Sequence, residues 1–252
     1  TNINTQALTL KDGVDILVAT PGRLYDMVIA RMISLKNVKK LVIDEVDVML
    51  DLGFIFQLTN IFELLPERRQ NIMFSATMTQ EVDVLIRDFF YDPIQISIAV
   101  SGTPLENIDQ SSYEVPNFYS KVNLLEHLLD DNDEFAKVLI FSPTKKMADR
   151  LQETMLEHFG PELGIIHSNK TQNTRNAAIE NFNNGLNRIL IATDVIARGL
   201  DLDKITHVIN FDTPQFPENY MHRIGRTGRA EEIGKTILLF SEKERTSKKA
   251  IE

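Results

Sequence analysis

The sequence predicts an α/β chain of two domains, each an open parallel sheet flanked by helices. Three observations carry this. Short β-branched apolar runs alternate with longer amphipathic stretches, the pattern of βα units. Several runs, such as Val138–Phe141 and Ile189–Ile191, are apolar at every position, as in strands covered by helices on both faces. A Gly/Pro-containing stretch without apolar period, Ser101–Asn107, divides the runs into two series.

In the first series, strands are predicted at Asp15–Ala19, Lys40–Ile43, Asn71–Ser75 and Ile94–Ile98, with helices at Arg23–Arg31 and Thr79–Tyr91. In the second, strands fall at Lys137–Ser142, Leu163–His167, Arg188–Ala192, Thr206–Asn210 and Lys235–Phe240. Its helices are Tyr119–Leu129, Lys145–Phe159, Thr171–Phe182 and Pro217–Ile224, with a last one opening at Ser241, which has capping-box spacing to Glu244. The expected division is residues 1–102, a linker at 103–111, and residues 112–252.

Composition narrows the function. At 252 residues, 43% of them hydrophobic, two modest cores are the better expectation than one large one. Cysteine is absent, which removes disulfides and thiolate metal sites and fits a reducing compartment. No apolar run reaches membrane-span length, and Thr1–Leu10 lacks the pattern of a signal peptide; a cytoplasmic protein is expected. The net charge of −9 divides as −4 over residues 1–102 and −5 over residues 103–252. Neither half is basic, so bulk charge cannot drive polyanion binding, and a nucleic-acid site must come from local clusters and backbone donors.

The sharpest motif is Leu41-Val42-Ile43-Asp44-Glu45-Val46-Asp47, a hydrophobic run leading straight into carboxylates. Ligands of open α/β sheets sit at the carboxyl ends of strands. There, one carboxylate can hold Mg²⁺ through its waters, and a second can orient or deprotonate an attacking water. A solvated acidic turn is the plain alternative for the tetrapeptide taken alone. Ser75 and Thr77, at the end of a later strand, are placed to hydrogen-bond the acidic strand end. His222-Arg223-Ile224-Gly225-Arg226-Thr227-Gly228-Arg229 spaces three arginines by three; on a continuing helix that density of like charge calls for anions, and guanidinium groups bind phosphate oxygens bidentately. Thr193, Gly199 and Asp201 follow another strand. Thr20-Pro21-Gly22-Arg23 and the pair Gln172 and Arg175 lie near predicted helix starts, where free N–H groups favour phosphate. Singly, each of these reads as well as a cap or a solvated face.

Taken in order, Thr20–Leu24, Asp44–Asp47, Ser75–Thr77, Phe141–Thr144, Gln172 with Arg175, Ala192–Asp201 and His222–Arg229 resemble the motif series of DEAD-box RNA helicases, most of all the bacterial RhlE-like branch, over essentially the whole chain. The resemblance implies two RecA-like domains, the first incomplete, closing on ATP and Mg²⁺ and gripping single-stranded RNA by its backbone, in a monomer. It assigns Asp44 to Mg²⁺ through water and Glu45 to the hydrolytic water. Asp47, Ser75, Thr77 and His222 would couple the ATP cleft to closure, Gly199 and Asp201 would meet the nucleotide, and Arg226 and Arg229 would act on the γ-phosphate. Thr20, Gly22, Arg23, Thr144, Gln172, Arg175 and Thr193 would hold RNA.

Departures from the family pattern are few but unequal. Val46 stands within Asp-Glu-Val-Asp, which keeps every carboxylate, and His167-Ser168 stands where many members have His-Gly. No Gly-x-x-x-x-Gly-Lys-Thr phosphate loop occurs in the 252 residues. The expectation is therefore a first domain short of a central strand, with exposed edges and lost core contacts, and no ATP hydrolysis by these residues alone. An RNA-dependent ATPase is the leading reading. A nucleotide-free RNA-binding or scaffolding module is the alternative, and a DNA translocase is disfavoured by the motif spelling.

Overall fold

The computed structural model describes residues 2–97, 107–194, 202, 204–228 and 233–251. The chain divides into two compact units, Thr1–Ser97 and Ile98–Glu252. Each has parallel sheets and helices, the α/β architecture the apolar runs predict.

Unit 1 is built on two parallel strands, β1 (Lys40–Ile43) and β2 (Gln70–Met73), with Lys40 opposite Gln70 and Ile43 opposite Met73. Its helices are α1 (Ile3–Thr9), α2 (Pro21–Ile29), α3 (Val46–Asp51), α4 (Ile55–Leu64) and α5 (Gln80–Phe89). Helix α4 buries Leu58, Ile61 and Phe62, the i, i+3, i+4 stripe of an amphipathic helix. Leu58 and Phe62 join Ile43, Val46, Val82 and Leu85 in the core, and Phe62 stacks on Phe89 at 4.5 Å. Helix α5 starts at Thr79, whose hydroxyl accepts the Val82 N–H.

The other face of this small sheet is only partly covered by the described residues. Val42, Ile72 and Phe74 are exposed; they alternate with the inward Leu41, Ile43 and Met73, as side chains of a pleated strand must. The strand expected at Asp15–Ala19 is not formed, and residues 94–97 of the one expected at Ile94–Ile98 are also outside any strand. Ile16, Val18, Ile94 and Ile96 are all more than four-fifths exposed. Without a neighbouring ladder to pair with, an apolar β-branched run has no reason to become a strand.

Unit 2 carries six parallel strands in the order β3-β8-β7-β4-β6-β5: β3 (Ile108–Glu114), β4 (Val138–Phe141), β5 (Leu163–Ile166), β6 (Ile189–Ala192), β7 (His207–Asn210) and β8 (Gly234–Phe240). Helices α6 (Phe118–Leu129), α7 (Lys145–Phe159), α8 (Gln172–Asn183), α9 (Pro217–Ile224) and α10 (Arg245–Ile251) accompany them. Every residue of β4, β5, β6 and β7 is buried. Val138, Ile140, Ile189 and Ile191 pack with Leu125, Leu151 and Met155 on one face, while Leu139, Phe141, Leu190 and Ala192 pack with Phe182 on the other. The continuous apolar runs therefore do supply two faces.

β3 opens inside the stretch 103–111 expected to be a linker. Six of its seven residues are exposed, and it is held to β8 by backbone pairing. An edge strand of that composition carries no apolar signal. The last helix also begins later than expected: Ser241 and Glu244 form the capping box on a 3-10 turn, Glu242–Glu244, which leads into α10.

Candidate functional site

In unit 1 the acidic motif sits where β1 ends and α3 begins. Asp44 and Glu45 are exposed there, and Asp44 Oδ1 accepts the Glu45 N–H at 3.0 Å. Glu45 caps α3 with φ 50° and ψ 48°, the left-handed region that side-chain-bearing residues seldom occupy. Asp47 turns inward and is 4% exposed. Its Oδ1 accepts the Val48 N–H at 3.0 Å, and its Oδ2 accepts both the N–H and the hydroxyl of Thr77, at 3.0 and 2.9 Å. Ser75 does not reach the carboxylates; its hydroxyl donates to the Thr77 carbonyl at 2.6 Å. Parallel pairing of β1 and β2 aligns the two strand ends, and the backbone bonds Phe74 N–H to Ile43 O and Val46 N–H to Phe74 O lock them together.

This donor set suits a hydrated divalent cation. Among the described residues no three His, Asp or Glu side chains gather as a metal cage, whereas Mg²⁺ keeps most of its waters and takes one or two carboxylates. Asp44, exposed at a strand end, fits that role and Asp47, already saturated with donors, does not. Elsewhere in the unit, Thr20 precedes α2 with its hydroxyl unused as a cap, and Pro21 occupies the first turn. Gly22 and Arg23 follow on α2, both half-buried.

In unit 2 Thr144, Thr193, Gln172 and Arg175 lie beyond the carboxyl ends of β4, β6 and β5, whereas the turn of Arg226 lies by the starts of β3 and β7. Thr144 caps α7, its hydroxyl accepting the Met147 N–H at 3.1 Å. Thr193, just past β6, is buried. Gln172 opens α8, and Arg175 donates from Nη2 to Gln172 Oε1 at 2.5 Å on the surface, while its buried Nε has no acceptor among the described residues. His167 points inward: its Nε2 meets Asp149 Oδ1 at 2.9 Å, and Nδ1 accepts the Asn169 N–H. The hydrogen bonds from His167 and then Lys170 hold the Asp149 carboxyl below its ordinary range. His222 lies half-buried on α9.

Arg223 and Arg226 do not share the continuous helical row that the spacing suggests. Helix α9 ends at Ile224 with Gly225 as its cap, so Arg226 stands in the following turn. Arg223 is buried, its fork on Asp194 at 2.5 and 2.7 Å and its Nη1 on Asn210 Oδ1 at 2.9 Å. Bidentate pairing of that kind saturates a guanidinium, so Arg223 ties α9 to the ends of β6 and β7 and leaves no fork for phosphate. Arg229, Gly199 and Asp201 lie outside the described residues.

Two residues that pattern reading overlooked matter here: Asp194 and Lys121. Lys121, on α6, is 3% exposed and donates to the Phe211 and Leu239 carbonyls, to Asp212 and to Glu244 Oε2. Burial raises the Asp212 carboxyl despite the lysine. For Glu244 burial pushes upward too, but donors from Ser241 and Thr213 prevail and lower it. A lone lysine on a helix otherwise read as amphipathic gives no sign of being interior.

Comparison with known proteins finds matches across both units. The DEAD/DEAH box helicase family matches residues 1–85, and the helicase conserved C-terminal domain matches residues 120–231. The chain is 42% identical over 240 residues to DEAD-box ATP-dependent RNA helicase 40 of Oryza sativa subsp. japonica, covering 95% of this chain and 30% of that protein. It is similar to the solved structure of a DEAD box protein from Methanococcus jannaschii, at 37% identity and TM-score 0.54, covering 100% of this chain and 67% of that one. It also matches S. cerevisiae Dbp5 bound to RNA and ADP BeF3, at 29% identity and TM-score 0.80, covering 93% and 62%. The chain spans less than half the length of the curated relatives it matches. By its two family matches and its identity to the archaeal protein, this chain belongs to the DEAD-box helicase family.

Proposed function

We propose that this chain is part of an ATP-dependent RNA helicase that holds single-stranded RNA by its backbone and separates duplexes locally, driven by ATP hydrolysis. The observation that carries the reading is the Asp47–Thr77 network, two motifs thirty residues apart joined into one hydrogen-bonded unit beside two exposed carboxylates. A passive RNA-binding module has no use for that arrangement.

On this reading Asp44 holds Mg²⁺ through water, and Mg²⁺ when bound offsets phosphate charge. Glu45 orients and deprotonates the attacking water. Asp47, Ser75, Thr77 and His222 transmit the state of that site to domain closure. Gly199 and Asp201 contact the nucleotide, and Arg226 and Arg229 stabilise charge on the transferred phosphate. Thr20, Gly22, Arg23, Thr144, Gln172, Arg175 and Thr193 take RNA phosphates, which gives grip without sequence preference. Monomeric state, cytoplasmic location and kinship with the bacterial RhlE-like branch belong to the same proposal; the relatives named above come from a plant, an archaeon and a yeast. Residues 1–252 alone, with no phosphate loop, are expected to bind RNA without hydrolysing ATP, because a triphosphate needs a ring of backbone N–H donors.

The test is Glu45→Gln in the full-length protein. The amide keeps the shape and loses the base, so ATP and RNA binding persist while RNA-stimulated phosphate release disappears. Near wild-type turnover in that variant removes Glu45 from the chemistry. Equal stimulation of the wild type by DNA and RNA favours the DNA translocase instead.

A further inference from the structure

We propose that Gly228 and Ile108 are positioning residues for Arg226, joining the start of β3 to the turn that carries the arginine. This rests on the reading of Arg226 as a ligand of the nucleotide.

The turn after α9 is fixed from three directions. Inside it, Arg226 N–H bonds Arg223 O at 3.1 Å and Thr227 N–H bonds Ile224 O at 3.0 Å. Thr227, 2% exposed, donates its hydroxyl to Ile205 O at 2.5 Å and forms a bridge with Ile205 ahead of β7. Gly228 then lies against β3: a Cβ on it would stand 2.8 Å from Ile108 Cγ1 and 3.2 Å from Asn107 O. The same Asn107 carbonyl accepts the N–H of Gly234, where β8 begins.

Ile108 is buried with Tyr220 and Ile224 of α9, and the Tyr220 hydroxyl donates to Gln110 Oε1 on β3 at 2.9 Å. Asn107 and Ile108 are the first described residues of unit 2. The start of β3 is thus in direct packing with the turn beside Arg226. Interiors are too dense to absorb an added methyl without a shift. A change at Ile108 or Gly228 therefore moves the arginine, with no contact to nucleotide of its own.

The fit is sterically specific, and so is the test. RNA-stimulated phosphate release by the full-length protein is measured for Arg226→Ala, Gly228→Ala, Ile108→Ala and the double variant Gly228→Ala/Ile108→Ala, with the unfolding midpoint of each. Gly228→Ala should lower kcat on the order of 10²-fold, the loss typical of an ångström-scale misplacement, with KM for ATP unchanged. Ile108→Ala introduces no strained backbone and should lower kcat by a smaller factor. The double variant, which clears room for the new methyl, should recover part of the kcat lost in Gly228→Ala, although φ +67° at residue 228 still disfavours alanine. Turnover lost in Arg226→Ala but intact in both Gly228→Ala and Ile108→Ala overturns this inference alone. So does a kcat loss that follows the unfolding midpoint and is not relieved in the double variant. Intact turnover in Arg226→Ala overturns the reading of that arginine, and this inference with it.

Discussion

The two units start from strands that look alike in sequence and end in different states. Lys40-Leu41-Val42-Ile43 in unit 1 and Val138-Leu139-Ile140-Phe141 in unit 2 are both short and dominated by apolar residues. The second is covered on both faces, and the first on one, leaving Val42 59% exposed while Leu139 is fully buried. Hydrophobicity decides that a strand wants two partners; only the neighbouring elements decide whether it finds them.

The largest effect that tests this contrast comes from paired truncations. Leu139→Ala should destabilise unit 2 by about 2–5 kcal/mol, the range for emptying a packed interior site. Val42→Ala should change unit 1 by less than about 0.5 kcal/mol, as for other exposed positions. Hydrogen exchange at β4 and at β1 reports the two units separately. A large effect of Val42→Ala would mean that its face is covered in solution.

A second, slightly smaller effect concerns the interior charge of unit 2. Lys121→Met should cost about 3 kcal/mol in thermal unfolding of the unit. It removes the cation from Asp212 and Glu244, and leaving buried carboxylates without a partner is strongly unfavourable. Both keep roughly a fifth of their surface exposed, which places the loss at the low end of the usual range. Unchanged stability would show that the lysine is replaceable by packing.

The third test is pH. His207 is buried and stacked on Phe135 at 4.1 Å. Burial, and then the charge of Lys235, push its imidazole down to about 4. The folded unit therefore holds it neutral, while the unfolded chain binds a proton below about 6.5. Its contribution is intact above that value and is lost as pH falls towards 4, reaching on the order of 3 kcal/mol. In His207→Phe that part of the slope of stability against pH should disappear; a slope unchanged between pH 6.5 and 4 assigns it to carboxylates instead.

The strands of unit 2 were legible to within a residue or two because burial on both faces leaves an apolar signal at every position. β3 was not, because six of its seven residues face solvent and its stability lies in backbone pairing that composition does not encode. At Asp15–Ala19 and over residues 94–97 the error ran the other way, since a run can carry the propensity of a strand and lack a ladder. The acidic motif was found at a strand end because hydrophobic residues give way to carboxylates there. The fate of Arg223 was hidden, since its acceptors Asp194 and Asn210 lie 29 and 13 residues away and spacing along one segment cannot reveal them.

The smallest effect is expected at Arg175. Arg175→Ala should weaken RNA binding at every sequence alike and reduce the salt slope by roughly 0.7, one single-strand phosphate contact. Its buried Nε has no acceptor among the described residues. A salt slope equal to that of the wild type would make Arg175 only the partner of Gln172.

Glu45 holds a different lesson. Arg31, which shares its positive φ, directly follows the C-cap of α2, where helices commonly finish in that conformation. Glu45 instead precedes a helix, where an extended residue is the rule. Glycine would sit there more comfortably by roughly 1–2 kcal/mol. A chain optimised for folding alone would place glycine at position 45, so the glutamate stands there at a cost to the backbone.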